Sequence, residues 1–231
     1  MKLYKYCLII ISLFLLLTAC DKDTEDISRV TYYPELELKG STVLVMEAGN
    51  SFQEAGYVAT LEGNDVSNDV VISGNLDVNK PGKYTVNYTI TNVDGISKQL
   101  SRTVYVSDKT ESALKSGIYT VTADSHRDAS GAIVSYGREF SVVINQVEPG
   151  VFYTSDFLGG WYEYRAGYGP TYALTGTFKL NTDNTISIIS SHLIGWGDSA
   201  SGLENGKFDP ATNTISVEVK YANMSFNQTL K

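Results

Sequence analysis

Hydrophobic and polar residues alternate with a period of two along most of this chain, and no segment shows a convincing period of 3.6. In Tyr84–Thr91 the residues Tyr84, Val86, Tyr88 and Ile90 fall on one face, and Thr85, Asn87 and Thr89 on the other. That is the signature of a half-buried strand. Similar runs predict strands at 36–38, 43–46, 57–61, 70–73, 84–91 and 100–106, then at 118–124, 139–145, 151–156, 161–165, 172–180, 185–190, 203–208, 214–221 and 224–230. Turn chemistry punctuates them: Asn92-Val93-Asp94-Gly95, Asn181-Thr182-Asp183-Asn184 and Asp209-Pro210-Ala211-Thr212-Asn213. The pattern predicts an all-β protein. An N-terminal β-sandwich is followed by a C-terminal antiparallel meander, closed as a barrel or a flattened sandwich because an open sheet of that length would leave sticky edges.

The N-terminus breaks the pattern. Lys2 and Lys5 precede an apolar run from Cys7 to Leu17, interrupted only by Ser12. The run is shorter than the ~20 apolar residues that span a bilayer, and it fits the hydrophobic region of a secretory signal. It closes as Leu17-Thr18-Ala19-Cys20, which resembles the lipobox of bacterial lipoproteins. The resemblance implies cleavage before Cys20 and acylation of its thiol. Cys7 and Cys20 are the only cysteines, so no thiol would remain for a disulfide, a nucleophile or a zinc site. The acidic run Asp21-Lys22-Asp23-Thr24-Glu25-Asp26 reads as a solvated tether. It also resembles the signal that sends Bacteroidota-type lipoproteins to the outer face of the outer membrane. Loss of Lys2 and Lys5 would take the net charge from −8 to −10. Such a surface disfavours nucleic acid and leaves the lipid anchor as the means of membrane attachment.

The divisions read from the chain are a signal at 1–20, a tether at 21–32, a β-sandwich at 33–107, a polar linker at 108–116 and a second β-domain at 117–231. The segments "GNSFQEAGYVAT", "DVVISGNLDVNKPGKYTVNYTITNVDG" and "RTVYVSD" resemble bacterial Ig-like domains of the pesticidal-crystal-protein type, which implies a spacer fold. Within them, Pro81-Gly82-Lys83-Tyr84 reads as a tyrosine corner, with Tyr84 a structural clamp. The segments "SDFLGGWY", "GWGDS" and "FDPATNTISVEVKYANMSFNQTL" resemble an uncharacterised C-terminal domain of Bacteroidota lipoproteins. That resemblance implies association with glycan uptake at the outer membrane, and carries no residue roles.

Catalytic chemistry is thin. His126, placed in a polar turn, and His192, at a strand end, are the only imidazoles, and neither lies in a triad-like spacing. The acids Asp156, Glu163, Asp198 and Glu204 could serve a glycosidase only if two faced each other. The leading expectation is a binding protein without enzyme activity, cofactor or metal. Its candidate ligand residues are Trp161, Tyr162, Tyr164, Tyr168, Trp196 and Asp198, because ring faces stack on sugars and carboxylates take hydroxyls. Gly159-Gly160 is read as a turn between strands, after which Trp161, Glu163 and Arg165 share one face and Tyr162 and Tyr164 the other. Candidate partners are a glycan and the components of an outer-membrane transporter. The other readings are a structural or protein-interaction subunit, a carboxylate glycosidase, and rings that merely fill the core. Replacing Cys20 with Ser is expected to abolish acylation and membrane retention. Metabolic labelling with a radiolabelled fatty acid checks this, and an undiminished lipid label would overturn it.

Overall fold

The computed structural model describes residues 30–231. The signal segment, Cys20 and most of the tether lie outside the described residues. Seven strands build the first domain: β1 (Glu35–Leu38), β2 (Val43–Glu47), β3 (Tyr57–Leu61), β4 (Asn64–Asp65), β5 (Val71–Gly74), β6 (Gly82–Thr91) and β7 (Ser97–Ser107). They form two sheets, ordered β1-β3-β4 and β2-β7-β6-β5. β2 runs parallel to β7, and β6 pairs antiparallel with β7 along its whole length. The alternation in β6 does what it predicts. Val86, Tyr88 and Ile90 are buried, with Tyr84 partly so, against Leu36, Ala59, Val104 and Val106.

Side chains hold the turns. At the β6–β7 turn, the Asn92 carboxamide oxygen accepts the amides of Asp94 and Ile96 at 3.0 and 2.8 Å. Its nitrogen donates to the Tyr32 carbonyl at 2.7 Å and fastens the incoming chain to that end of the domain. At the opposite end the Tyr84 hydroxyl donates to the Lys80 carbonyl at 2.8 Å, the tyrosine corner expected of Gly82-Lys83-Tyr84. The same motif recurs as Gly117-Ile118-Tyr119, where the Tyr119 hydroxyl donates to the Lys115 carbonyl at 2.9 Å. Each corner pins the entry to a strand.

A fully buried Arg102 ties the loops together. It donates to the carbonyls of Ser41, Lys39 and Gly56 at 2.5, 2.6 and 2.7 Å, and to Glu54 at 3.2 Å. Glu54 also accepts the Tyr88 hydroxyl. These bonds replace the water that a buried guanidinium gives up.

The second domain has ten strands: β8 (Gly117–Val121), β9 (His126–Ala129), β10 (Ala132–Ser135), β11 (Phe140–Glu148), β12 (Val151–Thr154), β13 (Leu174–Leu180), β14 (Ile186–Leu193), β15 (Gly202–Asp209), β16 (Thr214–Tyr221) and β17 (Met224–Leu230). The order β10-β9-β17-β8-β11-β12-β13-β14, with β16 and then β15 added to β17, is antiparallel throughout. The sequential runs β11–β14 and β15–β17 are the expected meander. β17, however, returns to the middle of the order, where it pairs with β8 and β9. β14, at one end of the path, and β15, at the end of the branch, share no ladder and are hydrogen-bonded through the bridge Thr185–Lys207 and the bond from the Phe208 amide to the Asn184 carbonyl, 2.9 Å. The domain is therefore a sheet folded over its core, not a closed barrel. That core contains Phe152 and Phe178, stacked at 5.5 Å, with Leu158, Leu174, Leu193, Phe208 and Phe226.

Two local expectations fail. His126 is not in a turn but begins β9, which hairpins with β10 through Ser130 and Gly131, both at positive φ (54° and 89°). Such a two-residue loop matches the strand twist. The two four-residue strands it joins are too short for alternation to stand out in sequence. The segment 161–165 is not a strand either, as described below.

Residues 108–116 lie in no strand but are anchored to the second domain. The Asp108 amide donates to the Gln146 carbonyl at 2.7 Å, the Gln146 carboxamide donates to the Thr110 carbonyl at 3.0 Å, and Leu114 is fully buried in the second core. Across the junction Tyr105 stacks on Tyr153 at 5.8 Å, and buried Asn145 donates to the Val106 carbonyl at 3.0 Å. Replacing Arg102 with Ala should destabilise the Ig-like domain by about 3–5 kcal/mol, the usual cost of breaking a buried, fully bonded charge. Urea denaturation measures it, and a loss below about 1 kcal/mol would refute the role assigned to Arg102.

Candidate functional site

The chain leaves the sheet after β12 and rejoins it at β13, and the Asp156 carboxylate closes the excursion. It accepts the amides of Leu158 at 2.8 Å, Gly160 at 2.7 Å and Leu174 at 3.0 Å. Burial pushes its pKa up to about 6 against the pull of those amides. Gly159 and Gly160 follow with φ of 59° and 84°. A Cβ on Gly160 would lie 3.0 Å from Phe140, and one on Gly159 would lie 2.4 Å from the Gln228 side-chain oxygen, so both steric room and backbone sign demand glycine.

Released from this turn, Trp161–Arg165 form a single π-helical turn instead of the expected strand. The amides of Arg165 and Ala166 donate five residues back, to the carbonyls of Gly160 and Trp161, at 3.0 and 2.9 Å. The two-face alternation is lost. Trp161 and Tyr162 both turn inward, and Tyr164 and Arg165 outward. π-Helical turns of this kind are frequent at functional sites.

The rings then divide. Trp161 is 3% exposed, is packed between the guanidinium groups of Arg127 and Arg165, and meets Phe226 edge-on. It is a core residue. Tyr162 is buried and carries the exposed rings: Tyr168 stacks on it at 6.0 Å, and Trp196 meets it edge-on at 4.8 Å. Tyr168 and Trp196 are 54% and 46% exposed, with centroids 5.9 Å apart. Tyr172 contacts both. Trp196 also stacks over Tyr221 at 6.3 Å, and the Tyr221 hydroxyl donates to Asp198 at 2.8 Å. Burial and the Asp198 carboxylate hold the Tyr221 hydroxyl well above the usual phenol range. Gly195 makes the packing possible, since a Cβ there would lie 2.6 Å from the Tyr172 ring.

Of the predicted site residues, Tyr162, Tyr168, Trp196 and Asp198 come together. Trp161 goes into the core, and Tyr164 stands apart, 46% exposed and stacked on Phe140 at 5.9 Å. Tyr172 and Tyr221 belong to the cluster but were missed. Tyr172 lies in the same aromatic stretch, whereas Tyr221 ends a strand and gives no local signal.

The other polar groups have structural duties. Asp156 is enclosed and bonded on both oxygens. Glu163, its carboxyl raised mainly by burial, lines an open cleft of about 420 Å³ at the domain junction with Lys83, Tyr105 and Tyr164. Asp183 and Asp209 cap their own turns. Among the described residues no three His, Cys, Asp or Glu side chains gather as metal ligands.

Asp156 also gives this region a pH dependence. Its folded pKa of about 6 exceeds the ordinary 3.8, so the folded state holds a proton that the unfolded chain releases. Its contribution to stability is full below pH 3.8 and is lost as pH rises through about 6. Asp156→Asn should flatten that part of the stability–pH curve. Denaturation midpoints from pH 4 to 7 test it, and an unchanged slope would contradict the assignment.

A family model for the Ig-like domain of bacterial surface proteins matches residues 36–106, and a second, describing a C-terminal domain, matches residues 107–231. The comparison with curated proteins found no match. Among solved structures, the lipoprotein BT2262 from Bacteroides thetaiotaomicron is 48% identical, with a TM-score of 0.82 over 86% of this chain and 100% of that one. Two structures of Clostridium perfringens ZmpB also match. One, of its M60 catalytic domain with the CBM51-1 and CBM51-2 domains, is 17% identical over 55% of this chain and 15% of that one. The other, of CBM51-2 in complex with GlcNAc and INT domains, is 19% identical over 52% and 31%. Their TM-scores of 0.30 and 0.28 carry no argument about fold or ligand. The chain thus belongs to the family of the lipoprotein BT2262, with a bacterial surface Ig-like domain ahead of the C-terminal β-domain.

Proposed function

We propose that this is a non-enzymatic lipoprotein, anchored through Cys20 to the outer membrane and facing the cell exterior, whose C-terminal domain recognises glycan. The observation that carries the recognition reading is the ledge of Tyr168 and Trp196. These two rings, each about half exposed, are held 5.9 Å apart on a buried Tyr162. Exposed rings on a packed support offer a fixed apolar surface to a sugar at little entropic cost. Asp198, in reach of Tyr221 beneath Trp196, supplies an acceptor beside them.

The place where the chain enters the Ig-like domain supports a spacer role for it. Asn92 fastens Tyr32 at the β6–β7 turn, whereas the second domain departs from the other end of that hairpin, after Ser107. The ten residues of β6 therefore separate tether from recognition domain by roughly 30 Å. The enclosure of Asp156 by its own backbone amides speaks against a carboxylate-pair glycosidase.

A second reading, a protein-interaction subunit of an outer-membrane transport complex, is favoured by composition. Trp196, Tyr168 and Arg165 are all exposed, and these residue types dominate interface hot spots. A glycan array separates the two. On the leading reading the protein retains at least one polysaccharide, and Trp196→Ala weakens that binding about tenfold or more, ~1.4 kcal/mol. The same variant should lose less stability than Trp161→Ala, whose buried ring is worth ~3–5 kcal/mol. Absence of any glycan retention, with capture of transporter components instead, would establish the second reading.

A further inference from the structure

Arginine is unevenly placed in this protein. The described residues contain Arg102, Arg127, Arg138 and Arg165. Arg102 is buried in the Ig-like domain, and the other three gather around the π turn. Arg165 and Arg127 flank the Trp161 ring, their guanidinium carbons 4.3 and 4.8 Å from its centroid. Arg138 lies 4.9 Å from the centroid of Phe140, the ring on which Tyr164 stacks. Backbone carbonyls fix two of them further. Arg165 Nε donates to Ser135 at 3.1 Å, and an Arg138 terminal nitrogen donates to Tyr164 at 3.3 Å.

None of the three has a carboxylate partner among the described residues. The ion pairs there are Arg102–Glu54, Lys115–Glu111, and Lys220 with Glu204 and Glu218. The chain has 26 acids against 18 lysines and arginines, so unpaired arginines are not forced by a shortage of acids. The Arg127 Nε is buried without a hydrogen-bond partner. Arg138 and Arg165 are exposed. Each guanidinium carries five N–H donors, and most of theirs remain unused. Guanidinium groups stacked on rings lose little freedom when they bind a carboxylate or sulfate oxygen through two N–H groups at once.

The arginines and the ring ledge share a support. The π turn sends Tyr162 to the ledge and Arg165 to the arginines, and the Trp161 and Tyr162 rings both rest on Phe226, at 5.9 and 6.0 Å. Resting on the glycan reading above, we propose that the ligand is a polyanionic glycan, bearing carboxylate or sulfate groups, with Arg138 and Arg165 as the anion receptors, joined to the Tyr168–Trp196 ledge through the π turn. Glu139, exposed next to Arg138, is the one acid in sequence contact with the receptors and opposes the anion.

The experiment is calorimetric titration of the full lipidated chain in detergent. The probes are polygalacturonate (carboxylate only), dextran sulfate (sulfate only), uncharged dextran and galactan, and poly-glutamate. At least one of the two polyanionic glycans should bind about tenfold or more tightly than the neutral ones, and added salt should weaken it. Arg138→Gln and Arg165→Gln should each cost about tenfold on that glycan. Arg138→Glu should cost more, and Glu139→Gln should strengthen binding. Thermal melts confirm folding. Should Arg165→Gln unfold, the Arg138 and Glu139 variants decide the matter. Equal binding of neutral and charged glycans, untouched by the arginine variants, would overturn the polyanion inference and leave the glycan reading standing. Binding of a polyanionic glycan that ignores the arginine variants would overturn the assigned receptors. No glycan binding at all would overturn both readings, and poly-glutamate binding as tight as the polyanionic glycan would point to an acidic protein partner instead.

Discussion

Between β12 and β13 the chain makes its longest departure from the sheet, and a buried carboxylate carries the cost of that departure. Asp156 takes amide hydrogens from Leu158 and Gly160 at the start of the excursion and from Leu174 at its end. Without it, three donors would be buried unpaired, at roughly 1–3 kcal/mol each. The carboxylate is itself costly to bury, which is why its pKa rises. The two penalties offset one another only in this geometry. Everything on the exposed face depends on it, because the π turn can start only where Gly159 and Gly160 have been forced to positive φ.

The aromatic residues show a division of labour between neighbours. Trp161 and Tyr162 are adjacent and both buried, yet Trp161 is packed between two arginines and Tyr162 supports the exposed rings. A strand would have sent them to opposite faces. The smaller rotation per residue of a π turn keeps both inside and presents Tyr164 and Arg165 outward. The cation–π contacts that hold the guanidinium groups contribute on the order of 0.5–2 kcal/mol each. They keep charge at the surface of an acidic protein without neutralising it.

The junction between the domains is built from the same materials as their cores. Asn145 reaches from β11 to the Val106 carbonyl, Gln146 binds the connecting segment, and Tyr105 stacks on Tyr153. The connector contributes Leu114 to the second core. Such contacts tie the Ig-like domain directly to the second domain.

The sequence by itself determined what depends on local chemistry. Alternation located nearly every strand, because one buried face imposes a period of two on any half-buried strand. Turn residues such as Asn92 and Gly95, and the Gly-x-Tyr corner at Tyr84, act within a few residues of themselves and could be read from their neighbours. The cysteines and the N-terminal pattern likewise carry the expectation of a lipid anchor, on residues outside the described ones. Tertiary structure decided the rest. It made 161–165 a π turn, because Asp156 is satisfied partly by Leu174, far along the chain. It placed β17 beside β8 and β9, which pairs residues about a hundred positions apart, as Ser125 and Thr229 show. It sent Trp161 inside and left Trp196 at the surface, a choice set by neighbours that include residues of β9, β16 and β17 and invisible in the identity of either residue. Long-range contacts leave no period in a sequence, and it is such contacts that turned a run of rings and glycines into a supported surface.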